Sequence, residues 1–570
     1  MKIVFAKNAL LWYIYFDNLI AADKRLNRLC RAFDELLSSK AGEKVKKKLL
    51  LVSFIILFGF TPKNCRAKYS GGDGSEATPY RISDANDMNA IGLHEEDWGS
   101  HFVMVNDVNL AQFTGTQFNI IGYWVSSYDN NSFTGDFDGN GHTISNFTYQ
   151  TNGGYIGLLG YVTGASAKIK NLGLIDPNVN AGTGDKVGSL VGSLFEGTVS
   201  NCYVEGGQIT GHCEVGGLVG DNSKSTISNC YAAGTVCGTS SASGGLVGNN
   251  YGTILDCYST ASVSGKQWAG GLVGMNKGTI SNCYAAGTVC GTFRANGGLV
   301  GINEHATVWN CYASGPVDGN NETGGLVGYN SYSTISNCYA TGDVSGNNYV
   351  GGLVGLVSYN GTVEHSYAAG AVTGNEPNTG GLVGHHSSGS YTKCFWDSNV
   401  NPDVNGIGNT TDPNVIGKST AEMQTKGTFT DVGWDFVSET VNGCEDIWRL
   451  CNDGIEYPKL AWEYTLGDFV CPDGVDMRDY TVLANQWQLE TLSYDVAPAG
   501  GDGIVNLLDW AVFANGWQDT TDANDLRTFC EQWLSSSAYS ADIAPTVDGD
   551  GWVNELDLAI MANHWLTGLQ

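Results

Sequence analysis

Two stretches near the C-terminus place hard oxygen donors at the spacing of a cation-binding loop. Asp548-Gly549-Asp550-Gly551-Trp552-Val553-Asn554 leads into Asp557, and Asp502-Gly503-Ile504-Val505-Asn506 leads into Asp509. Numbered as a twelve-residue calcium loop closing on its last carboxylate, the former puts Asp548, Asp550, Gly551 and Asn554 at positions 3, 5, 6 and 9. The latter repeats positions 5, 9 and 12 with Asp502, Asn506 and Asp509. Ca²⁺ takes about six to eight oxygen ligands, and alternate residues of such a loop can converge on one ion. Position 1 is Thr546 or Pro498 in place of Asp, yet Asp-x-Ala-Pro stands just upstream of each loop. Asp542 and Asp495 are therefore expected to supply the missing carboxylate through a longer loop. Asp468 to Asp479 has Val470 and Pro472 where ligands would sit, so weak or no binding is expected there.

Short helices would hold these loops. Asp479, Asp509, Asp525 and Asp557 are each followed eight positions later by Trp, at 487, 517, 533 and 565. Apolar residues such as Val512-Phe513 and Ile560-Met561 lie between at helical spacing. Each Asp would sit near a positive helix N-terminus, with Trp anchoring the far end. Residues 466–570 hold 17 Asp/Glu against Arg478 and Arg527, a net charge of −15. Solvated acidic turns are the plainer explanation, but two loops share the whole pattern. These segments resemble type I dockerin repeats, the tails that plug secreted polysaccharide-degrading enzymes into scaffold proteins. The resemblance implies a small all-α, Ca²⁺-dependent module over 466–570 that takes an extracellular protein partner or scaffold.

A different period governs the rest of the chain. Gly-Gly-Leu-Val-Gly occurs with its Leu at 218, 246, 272, 299, 326, 353 and 382, with weaker copies at Leu158 and Leu190. Successive spacings run between 26 and 32 residues. Each unit continues as in Thr334-Ile335-Ser336-Asn337-Cys338-Tyr339-Ala340, which reads as three short strand pieces separated by Gly, Asn and Ser turns. Such a unit cannot bury a core alone, whereas stacked copies can, each strand pairing in parallel with its copy roughly 4.8 Å along the axis. The expected architecture is all-β: a right-handed parallel β-helix of about 27-residue coils over 68–400. A propeller would need roughly 40–50 residues per blade. Leu326, Ile335, Cys338, Ala340 and Val344 should point inward, and Tyr339 outward.

Three registers could carry chemistry. Asn201, Asn229, Asn282, Asn310 and Asn337 share a bend, where an amide can bond the backbone and the copy above. Cys202, Cys230, Cys257, Cys283, Cys311, Cys338 and Cys394 share the next position. Leu172 and Ser366 replace them there, and stacking near 4.8 Å exceeds the roughly 3.5–4.5 Å between disulfide Cβ atoms, so buried packing thiols are expected. Tyr203, Tyr231, Tyr258, Tyr284, Tyr312, Tyr339 and Tyr367 follow, and could pack on one another or offer an aromatic ladder to sugars.

The units are similar to the GLUG repeats of bacterial surface and secreted proteins. The stretch from Tyr69-Ser70-Gly71-Gly72-Asp73-Gly74 to Asp87-Met88 resembles the opening segment of such proteins. Phe137-Asp138-Gly139-Asn140-Gly141-His142-Thr143-Ile144 resembles a coil common in β-helix proteins. The resemblance implies a β-helix and an extracellular place, and no particular reaction. Residues 401–465 lose the period and gain Trp434, Trp448 and Trp462, as a cap shielding the open end would need. Cys444 and Cys451 are close enough in sequence to bridge.

Charge sets the broad limits. Residues 1–67 carry 13 Lys/Arg against 5 Asp/Glu, while the whole chain is at −29, so everything beyond is strongly acidic. Such a surface repels phosphate backbones and argues against nucleic-acid partners. Lys46-Lys47-Lys48 precede an apolar run from Leu49 to Phe60, and Cys65-Arg66-Ala67 could end a cleavable signal. The run is too short to span a bilayer, which takes about 20 residues. Residues 1–67 are thus expected to be leader and signal peptide, with translation starting near Val45 and no membrane span after cleavage. A non-catalytic surface protein with a structural or adhesive role is the expected function. The alternative is a polysaccharide-active enzyme, a lyase or O-glycosyl hydrolase, or a carbohydrate-binding protein working in polysaccharide catabolism through its tail. For an enzyme, Asp136, Asp138 and His142 are the best candidates, although Asp-Gly-Asn-Gly reads first as a turn. His94-Glu95-Glu96 does not match the H-E-x-x-H of zinc proteases.

Overall fold

In the unit from Asn321 to Ser345 five short strands follow one another: Asn321–Gly324, Val327–Ser331, Thr334–Ser336, Tyr339–Ala340 and Val344–Ser345. None pairs within its own coil. Each pairs in parallel with its copy one coil on, as Val327 with Val354 and Tyr339 with Tyr367. The computed structural model describes residues 68–464, apart from 127, 128, 376, 438–440 and 444. Repetition of this pairing builds an all-β parallel solenoid, with one sheet of 33 strands and a second of 12. The sequence suggested three strand pieces per coil. Five form because even the Gly-containing arms beside each Leu find a ladder partner.

Corners close each coil. Glu322, Tyr332 and Asn337 have φ of 54°, 51° and 51°, in the left-handed region. The Asn register is therefore chosen chiefly by backbone: Asn201, Asn229, Asn282, Asn310 and Asn337 all lie at φ 51–52°, a conformation Asn tolerates better than most residues. Asp256, His365 and Lys393 take the same corner at 53°, 43° and 47°. Some of these side chains also bond the copy above, as Asn201 Nδ2 donates to Asn171 Oδ1 at 3.1 Å.

The interior is filled in rows. Leu218, Leu246, Leu272, Leu299, Leu326, Leu353 and Leu382 are fully buried, and each backbone N–H donates to the carbonyl of the next Leu at 2.8–3.0 Å. Burying one such side chain is worth about 1.5–3 kcal/mol. The glycines around them are required by contact: a Cβ on Gly325 would collide with the Gly352 carbonyl, and one on Gly328 with the backbone of Asn296.

A helix covers the first coil. Asp84 caps the helix Ala85–Ile91 by accepting from the N–H groups of Asn86 and Asp87, and Met88 and Ile91 enter the solenoid core. At the other end Val415–Lys418 adds the last rung of the smaller sheet, pairing with Cys394–Asp397. The chain then folds back along the tyrosine wall. Tyr339, Tyr367, Phe395, Phe429, Trp434, Phe436 and Trp448 form a second core, separate from the interior. Tyr339 does point outward from the coil, yet it is only 4% exposed because this segment lies over it. No helix among the described residues is long and apolar enough to cross a membrane.

Candidate functional site

The expected calcium ligands Asp495, Asp502, Asn506, Asp509, Asp542, Asp548, Asp550, Asn554 and Asp557 lie outside the described residues, as does the leader 1–67. The chemistry that can be placed lies on the solenoid.

The cysteine register is structural. Its seven thiols are free and buried, and burial pushes the Cys394 thiol up to about 12. Each Sγ faces the carbonyl two residues back, as Cys257 to Leu255 O at 3.1 Å. The N–H of Cys230 donates to Cys257 Sγ at 3.4 Å. Ser366 serves in the same slot, accepting from Cys338 N–H at 3.1 Å. Cys451 is disulfide-bonded; Cys444, the partner suggested by the sequence, lies outside the described residues.

Tyr203 through Tyr367 stack with ring centroids 4.8–5.1 Å apart and planes within 6°. Ring faces are thus turned toward ladder neighbours. Tyr203, Tyr231 and Tyr258 remain half-exposed, whereas Trp462 stacks near Tyr312 and donates to Asn310 O at 3.0 Å. Tyr339 OH donates to Glu463 at 2.9 Å and Tyr367 OH to Pro458 O at 2.6 Å. Burial raises the Glu463 pKa to about 7, against the opposing pull of the Leu460 N–H and the Tyr339 hydroxyl.

The N-terminal candidates for catalysis have local partners. Asp136 pairs with Lys170 at 3.0 Å, and Asp138 accepts from the Asn140 N–H at 2.8 Å inside the turn. His142 lies 3.3 Å from Asp107. Asp136 and Asp138 both reach Lys170, so the pair forms an ion cluster across two coils.

A cleft of about 750 Å³ opens on an outer corner, lined among others by Trp124, Tyr155, Asp185, Lys186, Cys213, Glu214 and Ser241. Stacking explains its contents. Val187 pairs with Val215 and Val215 with Ser243, so Asp185, Cys213 and Ser241 occupy one column, and Lys186, Glu214 and Ala242 the next. The second column sits at left-handed corners, with φ of 59°, 54° and 57°. Lys186 Nζ pairs with buried Asp221 at 2.7 Å and with Glu214 at 3.3 Å. Ser193 also donates to Asp221, at 3.0 Å. Burial pushes the Glu214 carboxyl up against the pull of Lys186. Burial alone would lower the Lys186 pKa, but the two carboxylates outweigh it and hold it raised. Beside this triad, His212 Nδ1 lies 2.9 Å from Asp185 Oδ1 and 3.3 Å from Cys213 Sγ. No local motif carries this cluster, because Asp185, the His212-Cys213 pair and Ser241 come from three successive coils. The signal was present: Asp185, Cys213 and Ser241 are spaced 28 and 28, as are Leu190, Leu218 and Leu246.

Parallel stacking of glycine-rich coils with buried side-chain rows defines the class, a parallel β-solenoid. Four of its coils, residues 211–236, 239–264, 319–345 and 346–373, match the GLUG motif. The stretch between the second and third matches keeps the same pairing register, Val273 with Val300 and Val300 with Val327. Among known proteins, the chain is 35% identical over 143 residues to a protein of Evansella cellulosilytica named as a Gly-rich membrane protein, covering 24% of this chain and 16% of that one. It is 31% identical over 134 residues to Halomucin of Haloquadratum walsbyi, covering 23% and 2%. The chain therefore spans only a small part of either relative. A solved Bacteroides ovatus chain named as an immunoglobulin A1 protease aligns over 69% of this chain and 96% of its own, at 18% identity and a TM-score of 0.27.

Proposed function

We propose that this chain is a secreted or cell-surface protein with a non-catalytic, structural or adhesive role. In this reading the solenoid is a stiff spacer, and residues 466–570 form a calcium-dependent docking module for an extracellular protein partner or scaffold. The observation that carries it is the uninterrupted stack from Leu190 to Leu382, whose backbone N–H groups chain from coil to coil. Coils along this stack carry no insertions to wall a substrate groove, and a row of their buried amides bonds from coil to coil. The membrane protein among the relatives supports a place at the cell envelope for this chain too.

Two measurements test the reading. A membrane-impermeant amine reagent applied to intact expressing cells should label the solenoid, where the Lys224 side chain is 67% exposed, or the chain should be recovered from the medium; an unlabelled cytosolic pool would overturn the location. Incubation with neutral and acidic polysaccharides, read by reducing ends and by absorbance of unsaturated products, should release nothing. Depolymerisation would replace the non-catalytic role with polysaccharide chemistry.

A further inference from the structure

We propose that Asp185, His212 and Cys213 form a binding site for a thiophilic divalent cation of the Zn²⁺ class, on the outer corner of the solenoid.

The three side chains offer carboxylate oxygen, imidazole nitrogen and sulfur, and their ligand atoms lie within 4.8 Å of one another. That mixture suits borderline-soft Zn²⁺ and is foreign to Ca²⁺, which takes oxygen alone. The distances are close to those a bound ion would set. Tetrahedral Zn²⁺ with ordinary bond lengths separates N from O by about 3.4 Å and N from S by about 3.5 Å. Here Nδ1 to Oδ1 is 2.9 Å and Nδ1 to Sγ is 3.3 Å, so these two separations need to widen by only a few tenths of an ångström.

Supporting groups hold the ligands in place. The backbone N–H of Cys213 donates to Asp185 Oδ1 at 3.0 Å, and Ser241 Oγ donates to Cys213 Sγ at 3.3 Å. Second contacts of this kind orient metal ligands. The columns are rigid, since Asp185, Cys213 and Ser241 ride on successive hydrogen-bonded coils. Access is open: the side chains of His212 and Asp185 are 44% and 53% exposed, and the cleft leaves the fourth position to water. Binding would release the thiol proton to solvent and leave the imidazole proton on Nε2. A second cluster, His94, Glu96 and Asp97, has similar composition without sulfur. There the Lys68 ammonium already bridges Glu96 and Asp97, which is why the proposal concerns the corner site alone.

Co²⁺ is the probe, because a thiolate ligand gives it a near-ultraviolet charge-transfer band that oxygen-only loops in the tail cannot produce. The full chain, kept under argon without reductant so that its free thiols stay reduced and the Cys451 disulfide stays closed, is titrated with Co²⁺. One equivalent should develop the band, and Zn²⁺ should bleach it. Cys213→Ser should abolish it, and His212→Ala and Asp185→Asn should each weaken Co²⁺ binding by roughly tenfold or more. Cys290→Ser, which removes an exposed thiol elsewhere, should leave it intact. Absence of the band in the native chain, its survival in Cys213→Ser, or its loss in Cys290→Ser would overturn the site. Should Cys213→Ser fail to fold, His212→Ala decides, since that side chain is 44% exposed and fills no core position.

Discussion

A thiol in the wall of this fold acts as a hydrogen-bonding spacer. Cys257 Sγ faces Leu255 O and accepts the Cys230 N–H, and Ser366 shows that a hydroxyl can do both in the same slot. Cys257→Ser should therefore keep the melting temperature within a few degrees. Cys257→Val should cost more, about 1–3 kcal/mol, because it leaves the Cys230 N–H unsatisfied in a dry interior. Thermal melts of the two variants side by side check the order. Glu463 makes a pH prediction at the same scale. Its folded pKa of about 7 lies above the ordinary carboxyl value of 4.5 because it is buried against the tyrosine wall. The folded state thus holds the proton more tightly than the unfolded one, so its cost is absent below the unfolded value. Stability falls as pH rises from 4.5 through 7. Each pKa unit is about 1.4 kcal/mol, so the loss is of the order of 3 kcal/mol. Hydrogen exchange in the segment around Leu460, corrected for intrinsic rates, should be faster at pH 8 than at pH 5. Glu463→Gln should flatten that difference.

Among elements, the most specific is a buried amide ladder. Asn222, Asn250, Asn276, Asn303 and Asn330 are almost fully buried, and each Nδ2 donates to the next Oδ1 at 2.7–2.9 Å. Leu194 precedes the ladder in register and Val357 follows it, so the backbone accepts apolar residues at its ends. Asn222 Oδ1 has no partner, whereas Asn276 bonds on both sides and also accepts the Gly278 N–H at 3.2 Å. Asn276→Leu should therefore destabilise by about 2 kcal/mol or more, and Asn222→Leu by much less. Equal losses in thermal melts would show that the amides do not act as a ladder. These asparagines fall at 28, 26, 27 and 27 residue intervals, as do the Leu residues four positions earlier. The ladder was thus legible in the sequence, but Gly-x-Asn contexts read as turns. The Leu, Cys and Tyr rows were legible because identity recurs in one register. The fold-back of 401–464 was not. Trp462 reaching Asn310 spans 152 residues without any period, and only tertiary packing fixes such a contact.

At the scale of the whole molecule, two modes of stability are expected to coexist. The twelve rungs of the tyrosine sheet, at about 4.8 Å each, extend it over roughly 50 Å. They are held by apolar rows and ladders that use no ion. The tail is expected to differ in kind: the helices proposed there would be about nine residues long, below the roughly 12–15 at which an isolated helix holds in water. Its net charge of −15 opposes compaction. Bound Ca²⁺ would cancel repulsion and tie the helix starts together, so that binding energy becomes folding energy. Asp502, Asn506 and Asp509, with Asp495, are expected to hold one ion. Asp548, Asp550, Asn554 and Asp557, with Asp542, should hold the other. Calorimetric titration of the full chain should show two Ca²⁺ equivalents, and Asp557→Ala should remove one while sparing the other, because the loops share no carboxylate. Removing Ca²⁺ with EGTA should expose 466–570 to protease while 68–464 survives as one resistant fragment. Equal resistance of the tail with and without chelator, together with no binding heat at millimolar Ca²⁺, would show that 466–570 is no calcium module and leave the solenoid unaffected.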